Sequence, residues 1–301
     1  MKKDILKISD LNRDDIVSLV TRAVELKKMQ GGGEQYRPLV GKTLAMIFQK
    51  SSTRTRVSFE VGMTQLGGNA LFLSPQDTQI GRGELIKDTA RVLSRYVDGI
   101  LIRTFSQDEV EELAYHSSVP VINGLSDLHH PCQILGDLMT AHERGKDLFH
   151  MKVCYLGDGN NVANSWVEAA ALIGFRLVVA CPKGYEPHHS VLDFAGQNES
   201  VSIERDPIRG VENADILYTD VWISMGQEDE VAKREDDFSR FQLNSAVVDA
   251  ADPAAIVMHC LPAYRGKEIT DEVMEGEKSV VFDQAENRLH IQKALLERVL
   301  A

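Results

Sequence analysis

Short apolar runs rich in Val, Ile and Leu alternate with longer stretches of helical period along almost the whole chain. Such runs, bounded by polar residues, Gly or Pro, predict strands of parallel sheets joined by crossover helices. A first series falls at residues 43–48, 69–73, 99–103 and 119–123. A second falls at 152–156, 176–180, 200–204, 216–221, 255–260 and 279–282. Amphipathic stretches such as 108–116 and 162–173 supply helices between them. The class expected is α/β: two doubly wound domains, each a parallel sheet flanked by helices.

A long helical stretch from Pro131 to about Arg144, followed by polar Gly145-Lys146-Asp147, separates the two series. It predicts interdomain helices and a boundary between domains 1–132 and 133–285. A final helix, 286–301, is expected to pack back on the first domain. Gly31-Gly32-Gly33 marks a loop between the opening helix and the first strand.

Composition narrows the class. A chain of 301 residues with 43% hydrophobic and 26% charged residues fits a two-domain globular protein. No stretch reaches the roughly 20 apolar residues of a membrane helix. The charged Met1-Lys2-Lys3-Asp4 start lacks a following apolar segment, so neither a membrane span nor a signal peptide is expected. Forty-five acidic against 33 basic residues give a net charge of −12, the wrong sign for a general nucleic-acid surface. Any anion site is therefore a local basic pocket, which makes the clustered Arg54 and Arg56 informative. Cys132, Cys154, Cys181 and Cys260 form no Cys-x-x-Cys pair. They predict no metal site and no redox motif, and a reducing, cytoplasmic setting.

Five constellations can carry chemistry. Phe48 to Arg56 reads Phe-Gln-Lys-Ser-Ser-Thr-Arg-Thr-Arg, leaving a strand and opening a helix. Ser52 is a good N-cap, and the free N–H groups behind it, with hydroxyls and a guanidinium, suit phosphate. The plainer reading is a capped surface helix. His130-Pro131-Cys132-Gln133 opens another helix. There His130 can donate to a developing oxyanion and Gln133 can bind an amide, although a capping His and a solvated Gln would look the same. Gly157-Asp158-Gly159-Asn160-Asn161 partly matches a dinucleotide fingerprint, with Val162 at the third glycine position. It can equally hold a carboxylate on a helix start. Asp220-Val221-Trp222-Ile223-Ser224-Met225-Gly226 leaves a strand for a polar loop, where Asp220 can bind an ammonium group. His259-Cys260-Leu261-Pro262 delivers a cysteine and then a proline that biases Leu261 towards extended backbone. Buried packing is the plainer role for Cys260.

Taken in order, Ser-Thr-Arg-Thr-Arg, His-Pro-x-Gln, Asp-x-x-x-Ser-Met-Gly and His-Cys-Leu-Pro resemble the aspartate/ornithine carbamoyltransferase superfamily, and the last two its ornithine branch. The resemblance implies a first domain for carbamoyl phosphate, a second for L-ornithine, and a homotrimer with sites near subunit interfaces, with higher assembly of trimers open. It implies that Ser52, Thr53, Arg54 and Thr55 hold phosphate and that Arg103 bridges phosphate and carbonyl oxygen. His130 would polarise the carbonyl. Gln133 and the carbonyls of Cys260 and Leu261 would hold the carbamoyl amide, with Gln79 and Arg288 as further carbamoyl-phosphate contacts. Asn161, Asp220, Ser224 and Met225 would contact ornithine. Arg56 lies two residues from Arg54 on the helix and faces elsewhere, so it is read as structural or interfacial. Cys132 is read as packing.

The implied reaction is direct attack of the ornithine side-chain amine on the carbamoyl carbon, through a tetrahedral oxyanion, with no cofactor and no covalent enzyme intermediate. Arg54, Arg103, His130, Asp220 and Cys260 are its expected catalytic residues. The alternatives are a carbamoyltransferase for another amine such as putrescine, a Rossmann dehydrogenase built on Gly157-x-Gly159, and a non-catalytic binding protein. The dehydrogenase needs an acidic residue after the next strand, which ends instead in Ala180-Cys181-Pro182.

Overall fold

The computed structural model describes residues 4–74, 83–196, 199–223 and 230–301. The chain divides into two compact units, Met1–Met139 with Glu286–Ala301, and Thr140–Ala285.

The first unit is built on a parallel four-stranded sheet in the order β2-β1-β3-β4. Its strands are β1 (Thr43–Phe48), β2 (Asn69–Leu73), β3 (Gly99–Arg103) and β4 (Val121–Leu125). The helices in chain order are α1 (Arg13–Gly31), α2 (Thr53–Gln65), α3 (Ile86–Leu93), α4 (Gln107–His116) and the start of α5 (Pro131–Glu143). In β1, Leu44, Ala45 and Met46 are completely buried and Ile47 nearly so, as expected of a central strand covered on both faces. Each large aliphatic chain so buried stabilises the fold by about 1.5–3 kcal/mol. Ala45, Ile47, Ile100, Ile102, Val110, Leu113 and Val121 form one continuous apolar cluster.

The fourth strand begins two residues later than the pattern suggests. Ser117 turns back on Val119, donating to its carbonyl at 2.7 Å, and Pro120 has no N–H to give a ladder. Pairing of β3 with β4 skips Gly124, where the register shifts between Ile102 and Arg103. That irregularity sits beside Arg103, where a bulge can re-aim a side chain.

The second unit holds a parallel five-stranded sheet in the order β7-β6-β5-β8-β9. Its strands are β5 (Lys152–Leu156), β6 (Arg176–Ala180), β7 (Val201–Glu204), β8 (Ile216–Thr219) and β9 (Ile256–His259). Its helices are α6 (Asn161–Ile173), α7 (His189–Ala195), α8 (Pro207–Val211), α9 (Val231–Phe238), α10 (Ser245–Asp249) and α11 (Asp271–Met274). Helix α6 is apolar on nearly every side and is correspondingly buried from Val162 to Ala170. Its Trp166 meets Phe175 and Tyr218 edge-on, and Tyr218 stacks on Tyr155 at 5.7 Å between centroids.

The strand expected at 279–282 is not formed. A single parallel bridge joins Ser279 to Val257. Val280 then donates to the Val257 carbonyl, and Gln284 to the Val280 carbonyl, which starts helix α12 (Val281–Leu300). The final helix thus begins five residues before the expected 286. An apolar run this short is ambiguous between strand and buried helix. No helix of the described residues is long and apolar enough to cross a membrane.

The turn between β5 and α6 depends on Gly159. Its N–H donates to the Tyr185 carbonyl at 2.9 Å, and a Cβ there would lie 2.2 Å from the carbonyl carbon of Glu186. Gly159→Ala is expected to destabilise by about 1–3 kcal/mol through overpacking. Gly31→Ala, with nothing within 4 Å of its Cβ, serves as control. Thermal denaturation of both variants checks this, and equal melting temperatures would contradict it.

Candidate functional site

In each unit the chemistry-bearing residues sit at the carboxyl ends of parallel strands, where the strand order reverses. That is the place where open α/β sheets bind ligands. In the first unit the reversal lies between β1 and β3, and Phe48 pairs with Arg103 at its rim. The chain leaving β1 stays against β3, because Gln49 and Lys50 both donate to the Arg103 carbonyl, at 2.9 and 3.3 Å. Ser52 then caps α2, its hydroxyl accepting from the Thr55 N–H at 3.2 Å. This presents Thr53 and Arg54, both exposed, on the first turn of α2 with its free N–H groups.

Cationic side chains gather below that turn. Arg103, 7% exposed, donates through Nε to the Lys50 carbonyl at 3.2 Å. Arg288 of α12, 4% exposed, donates to the Gln133 side-chain oxygen at 2.5 Å and to the Thr55 hydroxyl at 3.2 Å. Gln133 in turn donates to Asp137 at 2.8 Å. Lys50 is buried, paired with Asp127 at 2.9 Å, and lies over the Phe105 ring. His130, at the entrance to α5, is buried among them. Burial, and then the positive charges of Arg288, Arg103, Lys50 and Arg54, hold its imidazole well below the usual histidine range. The ring is therefore neutral near pH 7 and keeps one N–H to donate. Cys132 packs beside it, its thiol pushed up to about 12 by burial. Arg56 turns away, pairing with Glu60 at 3.0 Å and lying 3.7 Å over the Phe72 ring.

In the second unit the reversal lies between β5 and β8. Asp220, just beyond β8, is 7% exposed, and both its carboxylate oxygens are engaged. One accepts from the Cys260 thiol at 2.9 Å and the Val221 N–H at 2.8 Å; the other accepts from the Asn160 amide at 2.8 Å. Asn160 also caps α6, accepting from Val162 and Ala163, and it accepts from the Tyr155 hydroxyl at 3.1 Å. Burial, with the negative charges of Asp220 and Asp158 adding to it, raises the Tyr155 phenol well above its usual range, so it stays a donor. Asn161, half-buried, occupies the first helical position beside Asn160. Leu261 follows Cys260 with a φ of 59°. Gln79, Ser224 and Met225 lie outside the described residues.

Asp220, His259 and Cys260 place potential ligand atoms within 4.8 Å of one another. Both ring nitrogens of His259 are committed, however, one to the Leu261 N–H and one to Glu268. A metal would have to displace those bonds. Gly159, the residue that imitates a dinucleotide fingerprint, is accounted for by its contact with the Glu186–Pro187 backbone.

Sequence reasoning missed Lys50, Tyr155, Asn160 and the His259–Glu268 pair as parts of these sites. Lys50 lay inside a recognised motif, and Asn160 adjoined a chosen residue. Nothing local marked Tyr155, a strand residue in an apolar run, or Glu268, nine positions past its histidine.

Residues 3–143 match the family profile described as aspartate/ornithine carbamoyltransferase, carbamoyl-P binding domain, and residues 150–299 match its Asp/Orn binding domain. The chain belongs to the aspartate/ornithine carbamoyltransferase family. It is 57% identical over 302 residues to the ornithine carbamoyltransferase of Syntrophotalea carbinolica, covering 100% of each chain. A relative of the same name from Methanoculleus marisnigri is 54% identical, over 100% of this chain and 98% of that one. Among solved structures, the ornithine carbamoyltransferase from Pyrococcus furiosus superposes with a TM-score of 0.96 at 52% identity, over 99% of this chain and 97% of that one. That from Thermus thermophilus gives 0.90 at 42% identity, over the whole of both chains. The family resemblance carried by four motifs thus extends over the whole chain, and the two parallel sheets of the expected fold class are present.

The neutral His130 has a consequence for stability. Its pKa is depressed in the folded carbamoyltransferase and ordinary, about 6.5, in the unfolded chain. Below about pH 6.5 the unfolded state binds the extra proton, so stability falls as pH falls through that range and is level above it. His130→Asn is expected to remove about 1.4 kcal/mol per pH unit from the acid-side slope. Denaturant midpoints between pH 5 and 8 check this, and identical slopes for variant and wild type would contradict it.

Proposed function

We propose that this member of the family transfers the carbamoyl group of carbamoyl phosphate to the side-chain amine of L-ornithine, giving L-citrulline and phosphate. The observation that carries the proposal is the set of four cations, Lys50, Arg54, Arg103 and Arg288, around a neutral His130 in a chain of net charge −12. Relatives 52–57% identical over essentially the full chain bear the name ornithine carbamoyltransferase, which supports ornithine as acceptor.

The residue roles are part of the proposal. Residues 1–132 with helix 286–301 take carbamoyl phosphate, and residues 133–285 take ornithine. Ser52, Thr53, Arg54 and Thr55 hold the phosphate end, with the α2 N–H groups, and Gln79 and Arg288 make further contacts to carbamoyl phosphate. Arg103 bridges phosphate and carbonyl oxygen. His130, being neutral, polarises that oxygen with its N–H and then stabilises the oxyanion, alongside Arg103 and Thr55. Gln133 and the carbonyls of Cys260 and Leu261 accept from the carbamoyl amide. Asn161, Ser224 and Met225 contact the amino acid. Asp220, which accepts a hydrogen bond from the Cys260 thiol, orients the attacking amine and, with Cys260, helps to move its proton. The amine must be neutral to attack, and an unperturbed alkylamine has a pKa of about 10.4. Charge on the departing phosphate falls to Arg54 and Arg103, and holding two substrates in attack geometry supplies a further large part of the acceleration.

The chemistry closes without a cofactor: the C–N bond forms to give the tetrahedral oxyanion, the C–O bond to phosphate breaks as it collapses, and the amine proton is taken up by the departing phosphate or by solvent. The proposed setting is the cytoplasm, in arginine metabolism, with a homotrimer as the working unit.

Putrescine is the rival acceptor, because it offers the same amine without the α-carboxylate. Colorimetric citrulline assay with ornithine, against carbamoyl-putrescine formation under the same conditions, decides between them. Ornithine is expected to be preferred by at least about tenfold in kcat/KM, the worth of one charge-assisted contact to its carboxylate. Preference for putrescine would overturn the acceptor assignment, and activity with neither would overturn the function.

A further inference from the structure

We propose that His259 is a positioning residue of the transfer reaction, its imidazole aiming the Cys260 carbonyl through the peptide plane shared with Leu261. The inference rests on the function proposed above. No substrate contact is assigned to His259; its ring is completely buried at the end of β9.

Two bonds fix the ring. Nδ1 accepts from the Leu261 N–H at 2.9 Å, so its lone pair is in use and the ring proton sits on Nε2. Nε2 donates to Glu268 at 3.1 Å, and that carboxylate is 1% exposed. The same Glu268 oxygen accepts from the Tyr264 N–H at 2.5 Å, while its main-chain carbonyl accepts from the Leu243 N–H at 2.8 Å. The main-chain N–H of His259 donates to Gln284 at 2.9 Å, and Gln284 donates to the Tyr218 hydroxyl at 3.3 Å. The chain leaving β9 is therefore wrapped around a histidine whose tautomer and orientation are both set.

Geometry carries this to the chemistry. The Leu261 N–H and the Cys260 carbonyl belong to one planar trans peptide and point in opposite directions. Pinning the N–H on His259 sends the carbonyl the other way. The pin also holds Leu261 at a φ of 59°, a backbone conformation that a Leu side chain disfavours and that needs outside support. The same short segment sets the Cys260 thiol on Asp220 at 2.9 Å. His259 thus orients both a carbonyl assigned to the carbamoyl amide and the thiol facing the acceptor carboxylate.

Two substitutions separate the ring nitrogens. The side-chain oxygen of His259→Asn reaches the place of Nδ1 and can still accept from Leu261. The side-chain amide of His259→Gln reaches the place of Nε2 and serves Glu268, leaving the Leu261 N–H without its acceptor. Steady-state kinetics and the rate of Cys260 alkylation by iodoacetamide are measured on each, at a temperature below both melting points. The proposal expects His259→Gln to lose about tenfold to hundredfold in kcat, the cost of misplacing a contact by about an ångström. Its Cys260 alkylation rate should change, while His259→Asn keeps most of kcat. Equal losses in both, or a loss that follows melting temperature rather than the nitrogen replaced, would overturn it. Should neither variant fold, Glu268→Gln is expected to retain kcat and Glu268→Ala to lose it, and equal activity in that pair would overturn the proposal equally. Absence of citrulline formation by the wild type would instead refute the function on which the proposal rests.

Discussion

Like charges brought together away from water repel, and the first unit is organised around keeping several of them together. Arg103, Arg288 and Lys50 are nearly buried, and with Arg54 they depress the imidazole of His130. Arg288 is oriented by the side chains of Gln133 and Thr55, and Arg103 by the Lys50 carbonyl. These neutral acceptors orient each guanidinium and its charge. Burial lowers the local dielectric and makes that charge count for more. An anion that enters gains fixed, directional donors with no reorganisation at the moment of reaction. Much else in the unit follows from this. The bulge beside Arg103, the Ser52 cap and the path of α12 each place one member of the set.

The second unit solves a complementary problem with opposite charge. Asp220 is nearly buried, and among the described residues its oxygens accept from an amide, a main-chain N–H and a thiol. These donors orient the carboxylate and leave its negative charge available to an ammonium group. Tyr155, whose phenol stays protonated, and Asn160 hold one side of the arrangement. His259 and Glu268 hold the segment on the other. Both units therefore place functional groups at the switch point of a parallel sheet, on chain segments locked to the ends of buried strands.

Much of this was legible in the sequence. Buried central strands such as Thr43–Phe48 read clearly because an apolar run of that length, next to a capped helix, has few other uses. Ser52 was readable as an N-cap because its hydroxyl, three residues before the N–H it accepts, is a local signal. The run at 279–282 was misread because length and composition do not separate a short strand from the first turn of a buried helix. Arg288 was reached only through family resemblance, since it lies 155 positions from Gln133 and no local pattern joins them. The His259–Glu268 pair escaped for a related reason. A histidine and a glutamate nine residues apart match no helix or strand period, and only the folded loop brings them into contact.

The central claim is that the oriented cations around His130 form a phosphate site. The most direct test is the thermal stability of the wild type and of Arg54→Ala as inorganic phosphate is raised at constant ionic strength. Binding to the folded state alone stabilises by about 2.7 kcal/mol at a hundred times Kd, so the wild-type melting temperature should climb steadily with phosphate. The Arg54→Ala curve should be displaced to phosphate concentrations about ten times higher or more, matching the loss of one charge-assisted contact. Superimposable curves for the two proteins, or a wild type that phosphate does not stabilise, would contradict the account.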